Sequence, residues 1–92
     1  MATTHEDYKI SRLPNTFYRI SKTSHFFGDD TYDHYFYING NKKNIGKYTY
    51  QKRLIYKKFV SLLNRASSIH YTEMTNMLAR EKIKKYVVCW IV

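Results

Sequence analysis

Residues 34–48, HYFYINGNKKNIGKY, decide the fold, because they carry the clearest turn signal in the chain. Asn39-Gly40 favours a tight hairpin turn, since both residues adopt a positive φ at little cost. The aromatic residues 34–38 have high β propensity and predict the strand that enters the turn. Residues 41–48 predict the return strand, in which Gly46 marks a bulge or a closing turn. Three lysines lie near the tip of this hairpin: Lys42, Lys43 and Lys47.

The segment before the hairpin predicts one more strand. Residues 16–23, TFYRISKT, place Tyr18 and Ile20 on the same side of an extended chain. Residues 25–33 contain a glycine and three aspartates, so they predict a loop. Residues 1–11 are polar and are expected to be loosely ordered and flexible.

A helix is predicted after the hairpin, from residue 50 to residue 66, with Thr49 as its N-cap. Apolar residues at helical spacing form one stripe: Leu54, Ile55, Phe59, Val60, Leu62, Leu63 and Ala66. Basic residues fall toward the other side: Lys52, Arg53, Lys57 and Lys58. Lys52 and Arg53 in the first turn oppose the helix dipole, which suggests that another requirement favours the charge there.

Two further elements are predicted in the last third of the chain. Thr72 is suited to cap a second helix that reaches residue 82, and residues 86–92, YVVCWIV, predict a strand buried on both faces. Such a strand is either central in the sheet or covered by a second copy in a homodimer. The order is therefore β-β-β-α-α-β, an α+β domain with a small, mainly antiparallel sheet packed on two helices. Residues 1–92 form a single domain by their length.

The charge distribution is the main clue to function. The chain has a formal net charge of +9, and residues 34–72 contain no acid but eight Lys or Arg and six of the ten tyrosines. A basic surface of this kind indicates nucleic acid, an anionic membrane surface or an acidic protein partner. Aromatic residues between the cations favour nucleic acid, because bases stack on them.

We therefore predict a non-enzymatic nucleic-acid-binding protein, and the abundance of tyrosine favours RNA or single strands over duplex DNA. About half of the tyrosines are expected to be structural, since one side of each strand faces the helices. The alternative is an inhibitor that uses the same basic face against an acidic or RNA-loaded protein. The candidate contacts are Arg19, Lys22, Tyr35, Tyr37, Lys42, Lys43, Lys47, Tyr48, Lys52, Arg53, Lys57 and Lys58.

Residues 17–66 resemble the three-strand-plus-helix module of AP2 domains and of phage-integrase arm-binding domains. The resemblance lies in Asn39-Gly40, Lys42-Lys43, Ile45-Gly46 and the step from Tyr48 to Thr49. It implies that one sheet face enters the DNA major groove. The contacts it implies are Arg19, Lys22, Lys43 and Lys47. The chain departs from those families at the start of the helix, where basic residues stand in place of acids.

Two weaker resemblances point in other directions. Tyr37-Ile38 and Asn44-Ile45-Gly46 are similar to the two halves of the GIY-YIG nuclease motif, with Arg53 near the expected arginine, but the second-half tyrosine is missing. This similarity implies a degenerate nuclease as a third hypothesis. The chain is small, basic and rich in Tyr, Lys and Asn, and this composition is similar to that of host-takeover proteins of tailed phages. That similarity implies an antitoxin-like inhibitor in the host cytoplasm.

Other chemistry has little support in the sequence. The four histidines lack zinc-site spacing, and no glycine-rich phosphate loop is present, so neither a metal nor a cofactor is predicted. Cys89 is the only cysteine, which excludes an internal disulfide and fits a reducing, cytoplasmic compartment. No apolar run is long enough to span a membrane, and the N-terminus lacks the apolar segment of a signal peptide.

Overall fold

The computed structural model of the chain describes residues 2–11, 13–65, 75–77 and 79–80. Within this part, four antiparallel strands form one sheet in the order β1-β2-β3-β4, so that each strand pairs with its neighbour in sequence. The strands are β1 (Ala2–Lys9), β2 (Phe17–Ser24), β3 (Thr31–Ile38) and β4 (Asn41–Lys47). A 3₁₀ turn (Tyr50–Lys52) leads into helix α1 (Arg53–Arg65). The α+β class predicted from the sequence is confirmed.

The β3–β4 hairpin is formed as its sequence predicts. Asn39 and Gly40 have φ angles of 53° and 86°, which are the positive values that a tight two-residue turn requires. The bulge is also present, because His34 pairs with Gly46 while Tyr35 pairs with Asn44. Ile45 is therefore the extra residue on β4.

Helix α1 covers one face of the sheet, and the core lies between them. The covered face carries the buried side chains Tyr18, Ile20, His34, Phe36 and Ile38 from β2 and β3. The helix contributes Tyr56, Phe59, Val60, Leu62 and Leu63. The strand residues that alternate with these lie on the other face of the sheet, which we call the open face. They include Phe17 and Arg19 of β2 and Tyr35 and Tyr37 of β3.

Strand β1 is the largest difference from the sequence-based expectation. Residues 1–11 were expected to be loosely ordered, yet Ala2–Lys9 forms a full strand, paired with β2 from Ala2–Ser24 to Lys9–Phe17. Its side chains are exposed except for Tyr8, which is half-buried. Because the strand lies at the edge of the sheet formed by the described residues, its pairing with β2 needs no alternating apolar pattern of the kind that marks a half-buried strand.

The helical segment begins as predicted but differs in two details. Thr49 occupies the N-cap position, yet its side chain makes no capping hydrogen bond, and Lys52 donates its backbone N–H to the Thr49 carbonyl. Leu54, expected in the apolar stripe, is 53% exposed, and Tyr56 fills the corresponding place in the core. Tyr56 lies three residues before Phe59 and seven before Leu63, which places it on the buried side of the helix, whereas the helical spacing turns Leu54 away from them.

The remaining predictions fall largely outside the described residues. Residues 75–77 and 79–80 are helical and lie within the second helix predicted for residues 72–82, and Met77 is buried in the core. The rest of that helix, and the terminal strand predicted for residues 86–92, lie outside the part that the structure describes. None of the helices in the described part is long and apolar enough to cross a membrane.

Candidate nucleic-acid interface

Strand register arranges the side chains of the open face into rows that run across the four strands. Pairing of Lys9 with Phe17, of Phe17 with Tyr37 and of Tyr37 with Lys42 produces one row, which we call the aromatic row. It crosses three inter-strand spacings, so its ends lie about 14 Å apart. The next row along the strands, here called the arginine row, contains Asp7, Arg19, Tyr35 and Asn44.

The aromatic row presents two adjacent rings between two lysines. The rings of Phe17 and Tyr37 have centroids 5.0 Å apart and planes inclined by 33°, and both side chains are half-buried. Lys9 and Lys42 are exposed at the two ends of the row. The two rings therefore pack partly against each other, and the row is a compact aromatic pair with a cation at each end.

Arg19 lies beside the aromatic row and is held in place by Asp7. Its Nε and Nη2 donate to the two Asp7 carboxylate oxygens at 2.6 and 2.9 Å. The guanidinium carbon lies 5.0 Å from the centroid of Phe17 and 5.4 Å from that of Tyr37. The Arg19 hydrogen bonds hold the pKa of the Asp7 carboxyl below its usual value, and the same bonds raise the pKa of Arg19. The pair is therefore a fixed planar group with little net charge.

Tyr35 is one of the predicted nucleic-acid contacts, but the structure buries its ring. The side chain lies on the open face but is only 6% exposed. Lys42 places its Nζ 4.4 Å from the centre of the Tyr35 ring, and Tyr37 packs against the ring at 5.6 Å. The Tyr35 hydroxyl hydrogen-bonds the Ser21 hydroxyl at 2.8 Å. Tyr35 thus packs beneath Lys42 and Tyr37 and helps to hold them in position.

The three hairpin lysines do not form one cluster. Lys42 and Lys47 lie on the open face, but Lys47 pairs with Asp33, three residues beyond Asn44 and away from the aromatic row. Lys43 pairs with Phe36 on the covered face and is half-buried. The bulge at Ile45 adds one residue between Lys42 and Lys47, which allows both to reach the same face although their separation is odd.

The basic residues of the helical segment lie in the helix layer, away from the open face. Each of the first three is placed over a tyrosine ring: Lys52 over Tyr48 at 5.5 Å, Arg53 over Tyr50 at 4.0 Å and Lys57 over Tyr8 at 5.4 Å. Arg53 also lies 4.0 Å from the Glu6 carboxylate. Lys58 is exposed. The single basic surface expected from the sequence is therefore divided between two layers.

The last two predicted contacts also lie on the side of the helix layer. Lys22 is on the covered face beyond the helix start, with its Nζ 3.5 Å from an Asp30 carboxylate oxygen. It lines a cavity of about 290 Å³ together with Glu6 and Tyr50. Tyr48 is 44% exposed and its ring lies 5.8 Å from that of the buried His34.

Sequence reasoning missed two members of the aromatic row. Lys9 lies in the segment that the sequence predicts to be loosely ordered, and Phe17 lies on a predicted strand but is not among the candidate contacts. The signal that was available is the alternation of β2, which places Phe17 on the same side as Arg19. The partner positions Lys9 and Tyr37 depend on the register between strands.

The described residues contain no group of three or more His, Cys, Asp or Glu side chains that could hold a metal ion. A comparison with known protein families, curated sequences and solved structures finds no significant match for this chain. The similarities to AP2 domains, GIY-YIG nucleases and phage host-takeover proteins therefore stay predictions.

Proposed function

We propose that the chain is a non-enzymatic nucleic-acid-binding protein that holds single-stranded RNA or DNA on the open face of its sheet. The observation that carries the proposal is the aromatic row, in which Phe17 and Tyr37 lie side by side between Lys9 and Lys42. Aromatic rings stack on unpaired bases of any sequence, and lysines neutralise the phosphates on either side.

The charges around the row favour a strand whose bases face the sheet. Asp7 and Asp33 place carboxylates on the open face, and the Arg19 charge is offset by Asp7. Phosphates are therefore poorly accommodated at the centre of the face and better accommodated at the exposed lysines of its margins. In a duplex the bases are stacked on one another, so their faces are not accessible to the two rings.

Binding of labelled twelve-nucleotide single strands, measured by fluorescence anisotropy, tests the proposal. Replacing both rings, Phe17→Ser with Tyr37→Ser, is expected to weaken binding by roughly 5- to 150-fold for each ring, because one stacked base contributes about 1–3 kcal/mol. Lys42→Ala is expected to reduce the slope of log affinity against log salt by about 0.7.

Lys58→Ala is the matched control, because it removes one exposed lysine of the helix layer and leaves the open face intact. Loss of binding in Lys58→Ala, with no effect in Lys42→Ala, would place the site on the helix layer. Equal affinity for duplex DNA of the same length would favour the major-groove mode that the AP2 resemblance implies. Absence of binding to single strands and duplexes at low salt would exclude the proposed function.

A further inference from the structure

The loop between β2 and β3 carries an apolar group that the core does not use. Phe26 and Phe27 are 88% and 86% exposed, and their rings meet edge to face with centroids 4.8 Å apart. The loop is closed at its base by a hydrogen bond of 3.1 Å between the His25 ring and the Thr31 hydroxyl. Two adjacent phenylalanines exposed to this extent on a short loop are typical of a contact surface.

The charges beside the two rings restrict what they contact. Asp29 and Asp30 follow directly after Gly28 and are exposed, so they repel nucleic-acid phosphates and anionic lipid headgroups. The complementary surface has apolar or aromatic groups flanked by cations. The chain itself has a formal net charge of +9, and its aromatic row is a surface of this kind. There, Phe17 and Tyr37 lie between two lysines.

The contact must be between two molecules. The loop follows Ser24, whereas the aromatic row contains Phe17, so the two are separated by about 23 Å along β2. A loop of six residues between Ser24 and Thr31 cannot fold back over that length of sheet. The aromatic row of a second copy carries no such restriction.

We propose that the Phe26–Phe27 loop of one copy binds the aromatic row of a second copy. Its phenylalanines pack on Phe17 and Tyr37, and Asp29 faces Lys42. One such contact joins different surfaces of the two copies. If the contact repeats head to tail, the assembly grows beyond the dimer as concentration rises; if the loop of each copy binds the row of the other, a closed two-fold dimer forms. The contact between copies requires no nucleic acid. Association is therefore measured on the protein alone, and the result does not depend on the proposed function.

Sedimentation velocity of the full chain over a concentration series tests the proposal. The average mass is expected to rise above that of the monomer with concentration, to the dimer or beyond it, and Phe26→Ser with Phe27→Ser is expected to keep the protein monomeric. Because both rings are exposed, this variant should keep the wild-type melting temperature. Leu54→Ser, which replaces an exposed apolar residue of the helix, is the control and should associate like the wild type.

Two charge-reversal variants distinguish this contact from non-specific self-association. Asp29→Lys and Lys42→Glu should each associate at least tenfold more weakly alone, since like charges then meet at the interface. An equimolar mixture should recover wild-type association, because both kinds of mixed contact again pair opposite charges. Failure of the mixture to recover would overturn the assignment. So would a wild-type protein that stays monomeric at every concentration, or a monomer that instead sediments with phosphatidylcholine vesicles through the two phenylalanines.

Discussion

The two faces of the sheet are built from the same kinds of residue and have different properties. On the covered face, Tyr18 and His34 are buried, and each of their polar atoms has a partner within the protein. On the open face, Phe17 and Tyr37 are half-exposed, and the charged groups around them are only partly offset. The comparison shows that aromatic content alone does not identify a binding surface. What distinguishes the faces is whether the helix covers the rings.

The buried His34 shows how the covered face accommodates polar groups. The Thr49 carbonyl can only accept a hydrogen bond, so the His34 Nε2 that lies 3.2 Å away carries the hydrogen. The Nδ1 atom then accepts from the Tyr18 hydroxyl. This arrangement requires a neutral imidazole, and burial lowers the pKa of His34 below its usual value. The ring links β2, β3 and the start of the helical segment.

The largest difference between the faces is expected in stability. Phe36→Ala on the covered face should lower the free energy of unfolding by about 3–5 kcal/mol, because it leaves a cavity beneath the helix. Phe17→Ala on the open face should lower it by about 1 kcal/mol or less, the usual contribution of a cross-strand aromatic pair. Urea denaturation followed by circular dichroism measures both values.

Phe36→Leu provides a second measurement if Phe36→Ala does not fold, and its expected loss is smaller than that of Phe36→Ala because leucine leaves a smaller cavity. Similar losses for Phe17→Ala and Phe36→Ala would show that both faces are covered in solution. The distinction between a structural and a binding face would then fail.

A smaller effect is expected when the pH is lowered. The native state holds His34 neutral, whereas the unfolded chain protonates it below about pH 6.5. The unfolded state therefore binds more protons in that range, and stability falls as the pH decreases below 6.5, by at most about 1.4 kcal/mol per pH unit. Asp7 and Glu6, whose pKa values are lowered, contribute stability that is lost only at more acidic pH, below about 4.

His34→Gln should remove most of the decline in melting temperature between pH 7.5 and pH 5.5 that the wild type shows, whatever its own stability at pH 7.5. His5→Gln, which replaces an exposed ring on β1, should retain the wild-type decline. If His34→Gln kept the full decline, the neutral His34 would not be its source.

The sequence predicted the parts of this molecule that depend on neighbouring residues. Asn39-Gly40 specifies its turn through backbone conformation, and Gly46 marks the bulge for the same reason, so the hairpin was predicted correctly. Strand β1 was not predicted, because a polar edge strand is held by backbone pairing with a distant segment. Local propensity carries no information about that pairing.

The candidate site was predicted less completely for a related reason. Lys9 belongs to the aromatic row only because of the register between β1 and β2. Tyr35 is buried because Lys42 and Tyr37 pack against its ring. Arg19 was selected as a cation, but its pairing with Asp7 could be found only once β1 was in place. Charge and aromatic content therefore identified the kinds of residue that form the proposed surface, and the strand register determined which of them share it.

The smallest expected effect on stability concerns the Asp7–Arg19 pair. Asp7→Asn should lower the free energy of unfolding by less than about 1 kcal/mol, because both side chains are partly exposed and water screens the pair. The effect on binding is expected to be clearer. With Asp7 neutral, the Arg19 charge is no longer offset and becomes available to a phosphate, so the slope of log affinity against log salt should steepen by about 0.7 for a single strand.

Asp33→Asn separates this local effect from a general change in charge. It removes a carboxylate from the same face, but the Asp33 position pairs with Ser21 and Lys47, in the row next to the arginine row. Because Arg19 stays bound to Asp7 in this variant, its salt slope should change by less than half as much. Equal steepening in both variants would mean that the open face responds only to net charge, and the difference between a fixed arginine and an exposed lysine would then have no role in binding.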